Sequence, residues 1–248
     1  MDIKLAIYYL CIGLGAMASA VMGYSGAKRI GFAKKTIAVY LVYGIFTGLL
    51  SALFMGQLQN FIMSLTPFEY YPSRLRIFGA LLFLPVWLYF LVKYREDDYG
   101  ELLDVFSAGT YAMLGIAKIG CAVYGCCYGI EFAHGVSTPF EDHRVFPVQL
   151  LECALSLIIA VVIYFLAKSK KHRKGTVYPI SLILYGVMRF FAEYLRYYPE
   201  AERTYFLGVN LWQLISVLTV IMGVLWLIAY RHHGSNRDLQ TEVLQCEE

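Results

Sequence analysis

Apolar residues in this chain come in long unbroken runs. They do not alternate as in a half-buried strand, nor form the narrow stripe of a surface helix. Seven runs can be marked, at residues 3–24, 36–55, 76–92, 102–124, 147–168, 178–197 and 210–230. Each is close to the roughly 20 residues a helix needs to cross a bilayer. The pattern predicts an all-α integral membrane protein with seven transmembrane helices. Residues 1–230 form one seven-helix membrane domain in this reading, and residues 231–248 form a polar cytoplasmic tail. The third run carries Pro85, and the sixth carries Arg189 and Glu193. The first run begins almost at Met1, without a basic preceding region or a convincing cleavage site, and reads as a retained span.

Composition strengthens that picture. The 248 residues are 59% hydrophobic and only 16% charged, where a soluble domain carries about a quarter charged residues. A net charge of +3 with no basic, aromatic-interleaved polar surface argues against nucleic acid as a partner. Membrane lipids are the main partner. The basic residues fall in short connections, and their distribution predicts an orientation. Lys28, Arg29, Lys34 and Lys35 follow the first run; Lys168, Lys170, Lys171, Arg173 and Lys174 follow the fifth. Lys93 and Arg95, and Arg231 and Arg237 of the tail, lie on that same side if seven helices alternate. The opposite connections hold only Arg74, Arg144, Arg196 and Arg203. The N-terminus is therefore expected outside and the C-terminus in the cytoplasm. The 125–146 loop then faces outward, carrying His134, Glu141, Asp142, His143 and Arg144.

Candidate chemistry gathers at three places. Gly120-Cys-Ala-Val-Tyr-Gly-Cys-Cys-Tyr-Gly129 closes the fourth run, preceded by Lys118. Reactive and charged groups at membrane depth usually mark a site, although small residues and compact cysteines can also simply close a helix end. In the sixth run Arg189 and Glu193 are four apart and share a helix face, with Arg196 three further on. They could neutralise one another as a buried ion pair. They could equally form a phosphate clamp, with a guanidinium fork on the anion and a carboxylate orienting it. Pro147 suits the first turn of the fifth helix, and Gln149 and Glu152 follow on one face. Glu152 and Asp104 could each be a helix-start charge. Lys118, Gln149, Glu152, Arg189 and Glu193 all fall toward the outer half of the membrane, so convergent polar groups in an apolar bundle point to a binding site.

At these residues the chain resembles the prolipoprotein diacylglyceryl transferase family. The family signature, roughly Gly-Arg-Ile-Gly-Asn-Phe-Ile-Asn-Gly-Glu followed by Trp-Gly, fits Ala117-Lys-Ile-Gly-Cys-Ala-Val-Tyr-Gly-Cys-Cys-Tyr-Gly129 without a gap. Its Pro-Ser-Gln-Leu-Tyr-Glu corresponds to Pro147–Glu152, and its Tyr-Gly-x-x-Arg-Phe-x-x-Glu-x-x-Arg to Tyr185–Arg196. Its last helix resembles Trp212-Gln-Leu-Ile-Ser216. There are departures. The signature arginine is Lys118, its asparagine is Cys121 and its acidic residue is Cys126. Phe78-Gly79-Ala80 stands where the family has His-Gly-Gly, and no basic residue lies between Lys35 and Arg74 to match a second-helix arginine.

The resemblance implies a bacterial inner-membrane enzyme. It would move a diacylglyceryl group from phosphatidylglycerol to the lipobox cysteine of a prelipoprotein, with no cofactor and no metal. Arg189 and Lys118 would hold the phosphate. Glu152 and Glu193 would orient those cations, or one of them would accept the thiol proton. Gly120, Cys121, Gly125, Tyr128, Gly129, Gln149 and Arg196 would line the substrate. Two other readings stay open. A related lipid or acyl transferase could use its own Cys126 or Cys127 as nucleophile, activated by Lys118. A non-catalytic lipid or metal binder could hold zinc with Cys121, Cys126, Cys127 and His134 or His143, though the spacing is not a standard zinc pattern.

Overall fold

A computed structural model of the chain describes residues 3–64, 77–95, 97–139, 141–169, 173–198, 205–206 and 209–246. Arg74, Lys170, Lys171 and Arg203 of the charge pattern lie outside these residues. Seven α-helices are present among the described residues: α1 (Ile3–Arg29), α2 (Lys34–Ser64), α3 (Ile77–Arg95), α4 (Tyr99–Tyr124), α5 (Val148–Lys168), α6 (Val177–Ala192) and α7 (Leu211–Cys246). Two short antiparallel hairpins interrupt them, β1 (Glu131–Thr138) with β2 (Glu141–Val145) and β3 (Tyr205–Phe206) with β4 (Val209–Asn210).

The helix α4 is the axis of the bundle. It begins at Asp98, whose carboxylate accepts the Glu101 N–H at 2.9 Å, and it is the most buried of the long helices. Small residues let α1 lie directly against it. A Cβ at Gly109 would sit 2.8 Å from the Ser19 carbonyl oxygen, and one at Gly26 would meet Val105. Such small-residue contacts are how apolar helices approach closely in lipid, where hydrophobicity does not drive them together. Across α4, Gly115 admits Leu157 of α5. Tyr111, Leu114, Ile159, Ile163, Tyr185 and Trp212 form the central core.

The outer surface is apolar. Val42 is 70% exposed, Phe165 61% and Leu225 59%. So much exposed apolar surface is matched by lipid rather than water. Five helices are long and apolar enough to cross a membrane among the described residues: α1, Lys34–Leu58 of α2, α4, α5 and Leu211–Tyr230 of α7. The chain is an all-α membrane protein with two small hairpins. Residues 231–246 continue α7.

The sixth run departs from expectation. The predicted helix through residue 197 stops at Ala192, because the backbone tightens into a 3-10 turn, Glu193–Leu195, and then extends at Arg196. Asp104 also plays a different part from the helix-start charge expected for it. It lies in the second turn of α4, buried, and its carboxylate accepts the N–H groups of Gly175 (2.6 Å) and Tyr178 (2.8 Å). It thus satisfies otherwise unpaired donors at the start of α6.

Candidate active site

The opposite end of the bundle holds the site. There α4 closes at Gly125, whose N–H reaches the Cys121 carbonyl at 2.9 Å with φ 90°. That left-handed conformation is one glycine adopts without a steric penalty. The chain then turns back on itself. The Gly129 N–H donates to the Phe146 carbonyl (3.0 Å), and the Phe146 N–H to Ile130 (2.9 Å). On the other side, the Ile130 N–H donates to Leu195 (3.0 Å) and the Tyr197 N–H to Tyr128 (3.2 Å). Gly129 and Arg196 form a β-bridge, and a Cβ at Gly129 would collide with the Leu195 and Phe146 carbonyls. Main-chain hydrogen bonds therefore join the end of α4, the start of α5 and the end of α6.

This frame brings the predicted charges together around one carboxylate. Glu152, in the first turns of α5 and 1% exposed, pairs through Oε2 with Lys118 of α4 and through Oε1 with Arg189 of α6. The Arg196 Nη1 lies 3.5 Å from the same Oε1. Arg189 turns its other nitrogen to Glu193. Glu193 in turn accepts the Tyr198 hydroxyl at 2.7 Å. Burial holds the Tyr198 phenol well above its ordinary pKa, so it stays a neutral donor. Three cations (Lys118, Arg189, Arg196) against two carboxylates (Glu152, Glu193) leave these five residues with one net positive charge. A buried cluster with surplus charge is suited to an anion carrying one negative charge.

Arg196 was expected on the same helix as Arg189. It instead reaches Glu152 from extended backbone, with φ −89° and ψ 141°. Helix periodicity therefore gives the wrong route for Arg196 to Glu152. Tyr198 was missed altogether; only the 3-10 turn after α6 carries it back to Glu193.

The other predicted positions tie neighbouring elements together. Gln149 is buried and donates Nε2 to the Cys126 carbonyl at 2.8 Å, which pins the cysteine turn to α5. Tyr128 donates its hydroxyl to Glu141 at 2.6 Å and stacks on Tyr197 with ring centroids 5.5 Å apart. Gly120 admits Tyr8 and Cys11 of α1 against α4. The sulfurs of Cys121, Cys126 and Cys127 come together, and neither His134 nor His143 joins that group. His134 is exposed beside Phe132, and His143 faces Glu141 at 3.9 Å.

Comparison with known proteins gives this arrangement a context. The family model for prolipoprotein diacylglyceryl transferase matches residues 1–229. A phosphatidylglycerol–prolipoprotein diacylglyceryl transferase of Clostridium tetani is 25% identical over 237 residues, covering 90% of this chain and 92% of that protein. The enzyme of the same name from Finegoldia magna is 23% identical over 235 residues, covering 90% of each. A shorter match, 36% identical over 90 residues, links the chain to the Photorhabdus laumondii transferase and covers 36% of this chain and 31% of that one. With the family model spanning all but the last residues and the signature charges meeting in one buried cluster, the chain belongs to the prolipoprotein diacylglyceryl transferase family.

Proposed function

We propose that this protein transfers a diacylglyceryl group from phosphatidylglycerol to the lipobox cysteine thiol of prelipoproteins. The observation that carries the reading is the buried cluster in which Lys118, Arg189 and Arg196 surround Glu152 and leave one positive charge over. A phosphodiester carries one negative charge. Arg189 and Lys118 hold it, and Arg196 closes the cluster from the bridge. Glu152 and Glu193 aim those cations while the substrate is absent. As the acceptor sulfur attacks the glycerol carbon, charge builds on the departing phosphate, and preorganised cations stabilise it there most. Gly120, Cys121, Gly125, Tyr128, Gly129 and Gln149 shape the mouth in which the thiol and the lipid meet.

The chain sits in the bacterial inner membrane as a multi-pass protein with seven spans, counting α3 and α6. Its membrane domain is residues 1–230, and 231–248 is its cytoplasmic extension. The basic residues at 28–35 and 168–174 support an outside N-terminus and a cytoplasmic C-terminus. The cluster then opens at the outer leaflet. Reporter fusions after Lys35 and Lys174 should both report cytoplasm; a periplasmic signal from either reverses the orientation.

The decisive experiment is complementation of a conditional transferase deletion, read by lipoprotein processing. Purified protein should also move labelled diacylglyceryl from phosphatidylglycerol to a lipobox peptide. Failure to restore lipoprotein processing in the deletion, together with no transfer in vitro, would overturn the assignment.

A further inference from the structure

Three cysteine sulfurs converge beside the charged cluster. The Sγ atoms of Cys121, Cys126 and Cys127 all lie within 4.8 Å of one another. Cys121 belongs to the last turn of α4, and the other two follow the left-handed Gly125. Cys127 is itself left-handed, with φ 60°, the one non-glycine residue with positive φ among the described residues. The turn is held from outside as well. Gln149 of α5 grips the Cys126 carbonyl, and the Thr138 hydroxyl donates to the Gly125 carbonyl at 3.1 Å. All three thiols are free.

Packing does not call for this arrangement. Cys127 is exposed, and Cys121 and Cys126 are half-buried. Zinc does call for it. Thiolates bind zinc at about 2.3 Å, which puts tetrahedral ligand sulfurs about 3.8 Å apart. The three sulfurs, all within 4.8 Å of one another, stand close to that spacing. Three protein ligands with one open position is the pattern of a working zinc site rather than a closed structural one. Cys127 is the exposed member of the three.

We propose that Cys121, Cys126 and Cys127 bind a zinc ion and leave its fourth position for the acceptor thiol. The identity of that acceptor rests on the transfer reaction proposed above; the metal site does not. No histidine lies in an apolar run of this chain, and His134 and His143 are exposed. Metal binding supplies a thiolate at neutral pH without a histidine base, because coordination releases the thiol proton to water. The sulfur then forms a bond to the glycerol carbon of phosphatidylglycerol. The carbon–oxygen bond to phosphate breaks, and its electron pair stays on the released glycerol phosphate. Nothing is oxidised or reduced, and zinc keeps its charge throughout.

The test uses the full-length protein in detergent, loaded with zinc and desalted. Elemental analysis should find about one zinc per chain. Cobalt loading should give thiolate-to-metal charge-transfer absorption and the visible bands of a tetrahedral site. The double variant Cys126→Ser/Cys127→Ser should lose at least nine-tenths of the metal. Cys127→His should keep zinc, since imidazole is also a ligand, and Cys153→Ala should keep it as a fold control. Less than a tenth of a zinc per chain in wild type, or a disulfide between any two of the three cysteines, would sink the proposal. Transfer to a lipobox peptide should fall about 100-fold with a zinc chelator and return on re-addition. Unchanged transfer in chelator, with no zinc bound, removes the metal and keeps the proposed function. Stoichiometric zinc with no transfer to the peptide keeps the metal site and removes that function.

Discussion

Two buried carboxylates mark the two ends of this bundle, and they are held in different ways. Asp104 is bound by backbone N–H groups of Gly175 and Tyr178. Those donors lie in the turn before α6 and in its first turn, and are fixed by the main chain. Glu152 is bound by the side chains of Lys118, Arg189 and Arg196. These donors sit on long side chains from separate elements: α4, α6 and the extended backbone after it. The first carboxylate is a staple between helices. The second lies in a cluster whose cations outnumber its carboxylates, and the proposed function makes it a placeholder for the substrate anion. Burial alone does not separate them, since Asp104 is 2% exposed and Glu152 1%. The kind of donor does.

Substitutions test that contrast, and the largest effect is expected at Arg189. Arg189→Ala should lower transfer about 100-fold or more, as removal of a transition-state donor does. It should also cost about 3–5 kcal/mol of stability by taking from buried Glu193 the guanidinium it pairs with. Arg189→Lys should restore much of the stability, read by thermal unfolding in detergent, but little of the activity, because the fork is lost. Full activity in Arg189→Lys would break the phosphate role.

Asp104→Ala comes next. It should cost about 1–3 kcal/mol by leaving buried donors unsatisfied, yet keep the KM for phosphatidylglycerol. A KM change as large as that at the Glu152 end would erase the distinction between the two carboxylates. Arg196→Ala removes a longer contact, at 3.5 Å. A rise of about tenfold in KM is expected, about 1.4 kcal/mol, just under the roughly 1.5–3 kcal/mol typical of shorter bonds to charged groups. Tyr198→Phe should be mildest, near 1 kcal/mol of stability, by removing one hydroxyl from Glu193. Thermal unfolding of Asp104→Ala and Tyr198→Phe side by side would rank the two stability losses, and a phosphatidylglycerol titration would read the KM of Arg196→Ala.

The helices were largely legible because apolar runs of membrane length leave few alternatives. The charged site was legible because Arg189, Glu152 and Lys118 are costly in lipid and their motifs stood in order. What stayed hidden depends on tertiary contact. Nothing near Asp104 in sequence reveals that its donors lie more than 70 residues away. The β1–β2 hairpin lacks alternation: four exposed residues precede its buried Gly135. The early end of α6 follows from the bridge to Gly129, a partner that helix periodicity cannot see. The meeting of three sulfurs depends on two left-handed residues in a row of three, and spacing rules assume ordinary turns.

The bridge between Gly129 and Arg196 bears on how the protein could be rebuilt. The frame of the site is main chain, and main-chain bonds do not depend on which side chains the frame carries. Position 118 could be returned to arginine, and positions 121 and 126 to asparagine and glutamate, without disturbing the register that sets Arg196 against Glu152. Gly129 and Gly125 are exceptions, since a side chain at the first meets two carbonyls and the second is left-handed. The site is thus an interchangeable set of reagents on a fixed mount, and this chain is a natural starting point for transplanting one acceptor chemistry in place of another.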